Sequence, residues 1–289
     1  MRFVPVLAAA CAAASAALLL PGNATAAPHR QAGGHHMKVR SVRPAESQLP
    51  TSRTSARPAT VPTATCDPND TTGPQVLDSG IDPDSVVIDV NDSTASFVYT
   101  ALVSDPCSVG NVVVTGDRIS GEDSTQFHLY FEKYDDAGNE IWAAQVYIDP
   151  NYLWNYDAGT WSSTVDASDK LNNHAYAAGP DYYLQRRAKV TNNASPEPVS
   201  KGATITVAGK LSRANWDDWK YHGYANHPVE LQFRTLSGSY STLKTIDTSS
   251  TGTLTTTVRA SVDGCFRFVY RGSTTTSAVT GVGDCVDVR

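Results

Sequence analysis

Val229-Glu230-Leu231-Gln232-Phe233-Arg234 alternates apolar and polar side chains. That two-residue period belongs to a strand with one buried face and one wet face. Ala203-Thr204-Ile205-Thr206-Val207, Leu254-Thr255-Thr256-Thr257-Val258 and Phe266-Arg267-Phe268-Val269-Tyr270-Arg271 repeat the pattern, and Val286-Asp287-Val288 closes it. Gly, Ser, Asn or Pro turns separate these runs at intervals of about 8 to 12 residues, the spacing of an antiparallel sandwich. Further strands are expected near residues 189–191 and 242–247, for about seven in all. No stretch holds a helical period.

Upstream, the pattern is less regular but still β. Residues 86–90, 95–103 and 112–114 read as strands. Residues 126–134 and 140–148 form a hairpin across Asp135-Asp136-Ala137-Gly138-Asn139, with the glycine placed for positive φ. Residues 153–164 and 182–187 are expected to add two more strands.

Charge divides the chain. Residues 27–65 carry Arg30, Lys38, Arg40, Arg43, Arg53 and Arg57 against the single acid Glu46. The stretch is rich in Pro, Ser, Thr and Ala, so little apolar surface is available to offset its ordering entropy, and it reads as a disordered basic linker. Its charge would suit a tether to anionic polymer or headgroups, and His35-His36 offers a weak metal pair, though a solvated spacer explains the composition as well. Residues 66–189 hold 20 Asp and Glu against 6 Lys and Arg, whereas residues 190–289 hold 8 against 10. The change falls beside Asn192-Asn193-Ala194-Ser195-Pro196-Glu197-Pro198 and marks a boundary between two sandwich domains, 66–189 and 190–289. An acidic first domain argues against nucleic acid.

Residues 1–26 read as a signal peptide. Arg2 precedes an apolar run from Val4 to Leu20, Pro21-Gly22 breaks it, and Ala24-Thr25-Ala26 supplies the cleavage pattern. The run is short for a membrane span, and Cys11 lies within it, too early for lipidation. The mature chain is expected to be secreted, monomeric and without a transmembrane segment. Its four cysteines are expected to form local bridges, Cys66 with Cys107 and Cys265 with Cys285, in an oxidising compartment. Phase supports the second bridge: with Phe266, Phe268, Tyr270, Val286 and Val288 pointing inward, Cys265 and Cys285 share the outer face of the last two strands.

Several motifs in residues 190–289 carry a resemblance: Thr206-Val207-Ala208-Gly209-Lys210-Leu211, Tyr221-His222-Gly223-Tyr224-Ala225, Val229-Glu230-Leu231-Gln232-Phe233-Arg234 and Gly283-Asp284-Cys285-Val286-Asp287-Val288. This stretch resembles a domain of secreted actinobacterial proteins with tandem immunoglobulin-like sandwiches. Residues 66–189 resemble the domain that often precedes it, on residues 98–105 and the hairpin. The resemblance implies an all-β, immunoglobulin-like fold and no defined activity. The cysteines of the second domain are an addition to the usual pattern.

The sequence has no Gly-x-Ser-x-Gly elbow, His-Glu-x-x-His motif, Walker loop, Cys-x-x-Cys pair or complete EF-hand loop. His128, His174, His222 and His227 are scattered, and the chain is read as non-enzymatic. Two features retain chemical interest. Asp67, Asp70, Asp82, Asp84, Asp92 and Asp105 lie near strand ends, where converging carboxylates would suit calcium, the one cofactor considered. The same residues suit tight turns. Tyr152, Trp154, Tyr156 and Trp161 form one aromatic cluster; Trp216, Trp219 and Tyr221 form another. Rings beside Asp and Asn can stack on sugars if exposed, or fill the core. Strand alternation would put Tyr152, Trp154 and Tyr156 on one face. The reading is a secreted extracellular interaction or cell-surface structural protein whose partner is a protein or cell-wall glycan. Carbohydrate binding and calcium binding are the alternatives.

Overall fold

The computed structural model describes residues 37–49, 66–121 and 123–289. The signal peptide, His35-His36, Arg30, Arg53 and Arg57 lie outside the described residues.

Ten strands build the first part: β1 (Val39–Val42), β2 (Gln75–Asp82), β3 (Ser85–Ile88), β4 (Ala95–Ser104), β5 (Val109–Arg118), β6 (Ser124–Tyr134), β7 (Glu140–Ile148), β8 (Gly159–Asp169), β9 (His174–Ala178) and β10 (Tyr182–Arg186). Their order is β2-β4-β7-β6-β5-β8-β10-β3, with β1 also on β7 and β9 on β8. Strand β6 serves both layers. Its first half pairs with β5 from Ser124 to Leu129, and its second half pairs with β7 from Tyr130 to Tyr134, through an irregularity between Phe131 and Lys133. Phe97, Tyr99, Val114, Phe127, Trp161 and Leu184 are among the side chains that meet in the core between the layers.

Where β6 leaves β7, β1 takes its place. Val39 pairs with Ile148 and Ser41 with Val146, antiparallel. Met37 and Pro44 are buried, the Tyr130 hydroxyl donates to the Ser41 carbonyl at 3.2 Å and the Arg43 guanidinium to the Phe131 carbonyl at 2.6 Å. Within the stretch 27–65 expected as a disordered linker, Val39–Val42 are therefore a paired strand of the sheet, with a 3-10 turn at Glu46–Gln48 after it. The composition argument fails here because a segment that joins an existing sheet need not supply a core of its own. It contributes one apolar edge and takes its backbone partners from the strand beside it.

Three further expectations meet the structure. The hairpin of β6 and β7 forms as read, with Gly138 at φ 87° and the Asp135 carboxylate accepting the backbone N–H groups of Ala137 and Asn139. Residues 153–158 are not strand. Single 3-10 turns at Pro150–Tyr152 and Asn155–Asp157 precede β8, because Asp149 accepts from the Asn151 N–H and Asp157 from the Trp154 N–H, at 3.1 and 2.7 Å. The sheet is also not wholly antiparallel: β3 pairs with β10 in parallel, Val86 opposite Leu184. The Asp82-Pro83-Asp84 connection carries the chain from β2 in one layer to the open edge of β10 in the other.

The second part holds β11 (Ala188–Ser195), β12 (Thr204–Asn215), β13 (Lys220–Gly223), β14 (Pro228–Thr235), β15 (Ser241–Asp247), β16 (Thr253–Arg259), β17 (Gly264–Tyr270), β18 (Val279–Thr280) and β19 (Asp284–Val286). One sheet runs β11-β12-β13 with β16 also on β12, the other β15-β14-β17-β18 with β19 also on β17. Connections from β13 to β14, β15 to β16 and β16 to β17 cross between sheets, as in an immunoglobulin-like sandwich. Ile205, Val207, Val229, Leu231, Phe266 and Phe268, the alternating positions of the sequence, fill the space between them. Cys265 and Cys285 are directly opposite in the register of β17 and β19 and are bridged, as are Cys66 and Cys107.

Strand β12 joins the two cores. It begins in the second, at Ile205, but Ala214 and Trp216 at its far end belong to the first. The Trp216 indole N–H reaches the Ile88 carbonyl at 3.4 Å. Replacing Trp216 by Ala removes the largest side chain at this junction. It is expected to lower unfolding free energy by about 3 to 5 kcal/mol, measured by urea titration. A loss under about 1 kcal/mol would mean the two cores do not depend on it. Removing residues 27–49 should lower the urea midpoint and also cause self-association, since residues 145–148 of β7 would become an open edge. A truncated protein that stays monomeric with an unchanged midpoint would show that β1 is dispensable.

Candidate functional site

The acidic loops are built as turns. Asp67 accepts the Asn69 N–H at 2.9 Å, Asp92 the Asp89 N–H at 2.7 Å and Asp105 the Cys107 N–H at 2.6 Å. Asp70 accepts from both the N–H and the hydroxyl of Thr72, and those bonds hold its carboxyl below the usual range. Asp67, Asp70 and Asp105 lie beside the Cys66–Cys107 bridge, at the start of β2. Asp82 and Asp84 follow its far end, about 23 Å away along a strand of that length, and Asp92 lies on the β3–β4 connection. Among the described residues no three His, Cys, Asp or Glu side chains converge to hold a metal ion. Asp105 is pushed up by burial, and the nearby Asp169 and Asp70 add to the shift.

A buried carboxylate that the sequence did not mark is Glu140. One oxygen accepts the Val109 N–H at 3.1 Å and the other the Trp142 indole N–H at 2.9 Å. Burial raises its pKa, but both oxygens are occupied, one holding β5 to β7 and the other fixing the Trp142 indole on β7 itself. The histidines are on the surface or at ring contacts. His174 meets Asp166 at 2.9 Å and His222 meets Asp218 at 2.8 Å. Among the described residues neither pair has a hydroxyl or thiol hydrogen-bonded to its other ring nitrogen, so neither has the geometry of an activated nucleophile.

The two aromatic clusters divide differently from their grouping in the sequence. Trp161 and Trp216 are 0% and 1% exposed. Trp161 stacks on Tyr182 and donates to the Asp157 carbonyl at 3.0 Å. Trp219 and Tyr221 are half-buried against the first core. The Tyr221 hydroxyl donates to Asp89 at 2.6 Å, and burial with that bond pushes its phenol up. Asp89 also takes Arg187 and Lys189, at 3.4 and 3.6 Å. Around it the Asn155 side chain bridges Asn215, Asp217 and Arg186. This cluster is junction material.

Tyr152 and Tyr156 remain, 42% and 41% exposed, with Trp154 half-buried between them and its ring 6.0 Å from that of Tyr156. The 3-10 turns, rather than strand alternation, present them. Burial and the carboxylates of Asp157 and Asp123 push the Tyr156 phenol up to about 12. A contribution the sequence reading missed comes from β1. Lys38 lies over the Tyr152 ring at 4.8 Å, Arg40 over Tyr147 at 4.8 Å and Arg43 over Tyr130 at 6.0 Å. A short signal was present, since Met37-Lys38-Val39-Arg40 alternates before Ser41 breaks the pattern. Two cavities flank this strand. One of about 630 Å³ lies against Gln48, Ile81, Asp82, Ser96, Val98 and Thr100. Another of about 360 Å³ lies between Lys38, Arg40, Ser93, Thr94, Tyr147 and Asn151.

No family model matches this chain, and no curated protein matches it. Among solved structures it is similar to dimeric latent PorU from Porphyromonas gingivalis, at 12% identity and a TM-score of 0.28, over 76% of this chain and 20% of that one. The chain thus spans about a fifth of PorU. A marsupial T cell receptor matches at 11% identity and a TM-score of 0.31, over 74% and 72%. A 35 kDa C-terminal fragment of the major pilin GBS80 of Streptococcus agalactiae matches at 8% identity and a TM-score of 0.24, over 73% of this chain and 91% of the fragment. Likenesses this loose say nothing of activity. Among the described residues no helix is long and apolar enough to cross a membrane.

The burial pattern fixes how the tryptophans should report. Trp161, Trp216 and Trp142 should emit at short wavelength and resist acrylamide, while Trp154 and Trp219 supply the quenchable fraction. Trp154→Phe is expected to remove a large part of that fraction. A quenching curve unchanged by this substitution would contradict the exposure of residues 152–156.

Proposed function

We propose that this protein is secreted, non-enzymatic and monomeric, and that it serves as an extracellular interaction or cell-surface structural element. In this reading residues 1–26 are an export signal, residues 66–189 and 190–289 are two sandwich modules, and the source is one in which such secreted tandem modules occur. The observation that carries it is the joining of two disulfide-stapled sandwich cores through a packed junction. Disulfides persist in oxidising compartments, and a chain held end to end by Trp216, Asn155 and Asp89 can present a surface at a fixed distance and angle. The partner is a protein or a cell-wall glycan.

A specific observation favours a second reading, carbohydrate binding. Trp154 and Tyr156 form an aromatic pair and Tyr152 is exposed two residues before Trp154, rings suited to apolar stacking on a sugar. The test is retention of the mature protein on intact cells, insoluble polysaccharides and immobilised extracellular proteins. Retention on at least one is expected. Tyr152→Ala/Tyr156→Ala should weaken retention on polysaccharide about thirtyfold, the loss of two stacking contacts near 1 kcal/mol each. Retention on protein that ignores this substitution would support the interaction reading and reject the aromatic surface. Passage through all three materials would reject both.

A further inference from the structure

Beside β1 lies a cavity whose cations form no ion pair among the described residues. Lys38 and Arg40 wall one side of this space of about 360 Å³. Among the described residues neither makes an ion pair, whereas Arg43 has Glu132 and both Arg187 and Lys189 have Asp89. Their charged ends are held instead over the Tyr152 and Tyr147 rings. A ring beneath a cation attracts it without neutralising it, so each group is positioned while its outward donors stay available. The single carboxylate in the lining, Asp149, is engaged by the Asn151 N–H at 3.1 Å and by the Asn151 side-chain amide at 3.0 Å. Ser93, Thr94 and Asn151 complete the wall with two hydroxyls and an amide.

We propose that this cavity binds an acidic oligosaccharide, with Lys38 and Arg40 holding its carboxylate or phosphate. Ser93, Thr94 and Asn151 meet the sugar hydroxyls, and the exposed ring of Tyr152 borders the apolar face of the sugar. The inference rests on the carbohydrate reading above and makes it specific. Size supports it, because a concave space of a few hundred Å³ suits a small ligand. The lining supports it as well. A flat cationic array would suit a lipid surface and an apolar groove a protein helix, but this wall alternates cation, ring and hydroxyl. The surrounding module is strongly acidic, so the ligand must place its anion locally. A short charged sugar can do so more easily than a long polyanion, which the rest of the surface would repel.

The test uses the full mature protein and four probes, by fluorescence anisotropy or calorimetry: oligogalacturonate, a glycerol-phosphate oligomer, neutral maltotetraose, and phosphatidylcholine vesicles containing phosphatidylglycerol. One or both anionic oligomers should bind, and which one distinguishes carboxylate from phosphate. Affinity should fall at least about tenfold in Lys38→Ala/Arg40→Ala, the loss of charge-assisted contacts. It should also fall in Thr94→Trp, which fills the cavity from an exposed loop without touching β1 pairing. Lys210→Ala/Lys220→Ala, with the same change in net charge on distant exposed positions, should leave it unchanged. Maltotetraose binding that is indifferent to Lys38 and Arg40 would overturn this inference while leaving the carbohydrate reading intact. Binding to vesicles alone, or to none of the probes, or binding of an anionic oligomer that ignores Lys38→Ala/Arg40→Ala, would overturn this inference, while the carbohydrate reading is decided by retention on polysaccharide.

Discussion

Everything in this molecule that faces outward depends on how β12 is shared. The strand starts among Ile205 and Val207 in one core, and Ala214 near its end and Trp216 just past it belong to the other. A twelve-residue strand is about 40 Å long, enough to reach from one hydrophobic core to the other. Trp216 is then enclosed by side chains of the first module, and its backbone N–H meets the Asn155 side chain at 3.0 Å. An inter-module connection made of loop would leave relative motion as the default. Here the connection is a paired strand with a buried indole at its end, and polar groups at its rim, Asp89, Asn155 and Asp217, find partners from both sides, whereas Arg186 has Asn155 on one nitrogen and leaves its Nε unpartnered among the described residues.

The same junction explains why so many polar and aromatic residues that look functional in the sequence are not free to act. Tyr221 gives its hydroxyl to Asp89, and Arg186 is buried with its pKa lowered to about 10, chiefly by desolvation, with Arg213 adding to it. A buried guanidinium without a matched carboxylate is costly unless its hydrogen bonds are supplied. Asn155 supplies one at 2.6 Å. Asn155 is thus placed by three demands at once, from Arg186, Trp216 and Asp217. It belongs to the turn at Asn155–Asp157, and that turn in turn presents Tyr156. The exposed aromatic surface is consequently fixed to the junction rather than carried on an independent loop.

The fold was legible in the sequence where the determinant is local. Alternation at Val229–Arg234 and Phe266–Tyr270 identifies the strands, and phase puts Cys265 and Cys285 on one face, where the register sets them opposite each other. The hairpin glycine at position 138 follows from its turn. What was not legible is non-local. Nothing near Trp216 in the sequence distinguishes it from Trp219, because its burial is decided by Ile88, 128 residues earlier. Strand β1 was hidden for the opposite reason. Residues 27–65 are disorder-like on average, and averaging conceals a short alternating run whose strand partner lies about a hundred residues away. The carboxylates misled because Asp serves turns and calcium loops with the same side chain. Only the separation along β2 shows that Asp67 and Asp82 belong to different ends.

Strand β1 ties these points together. It occupies the position that β6 vacates when it crosses to the other layer, so the sheet needs a strand there to cover β7. A basic segment is well suited to that position, since the module it joins carries 20 acidic side chains against 6 basic ones over residues 66–189. Structural need alone would be met by any alternating strand. It does not call for cations on the outer face set over tyrosines and left without carboxylate partners, and an acidic module would be expected to neutralise them. Arg43, three residues beyond Arg40, is neutralised by Glu132. The difference between Arg43 and the pair Lys38 and Arg40 lies in what adjoins them, since the latter two border an open space lined by hydroxyl and amide groups. One segment therefore closes the sheet with its backbone and keeps two positive charges available with its side chains.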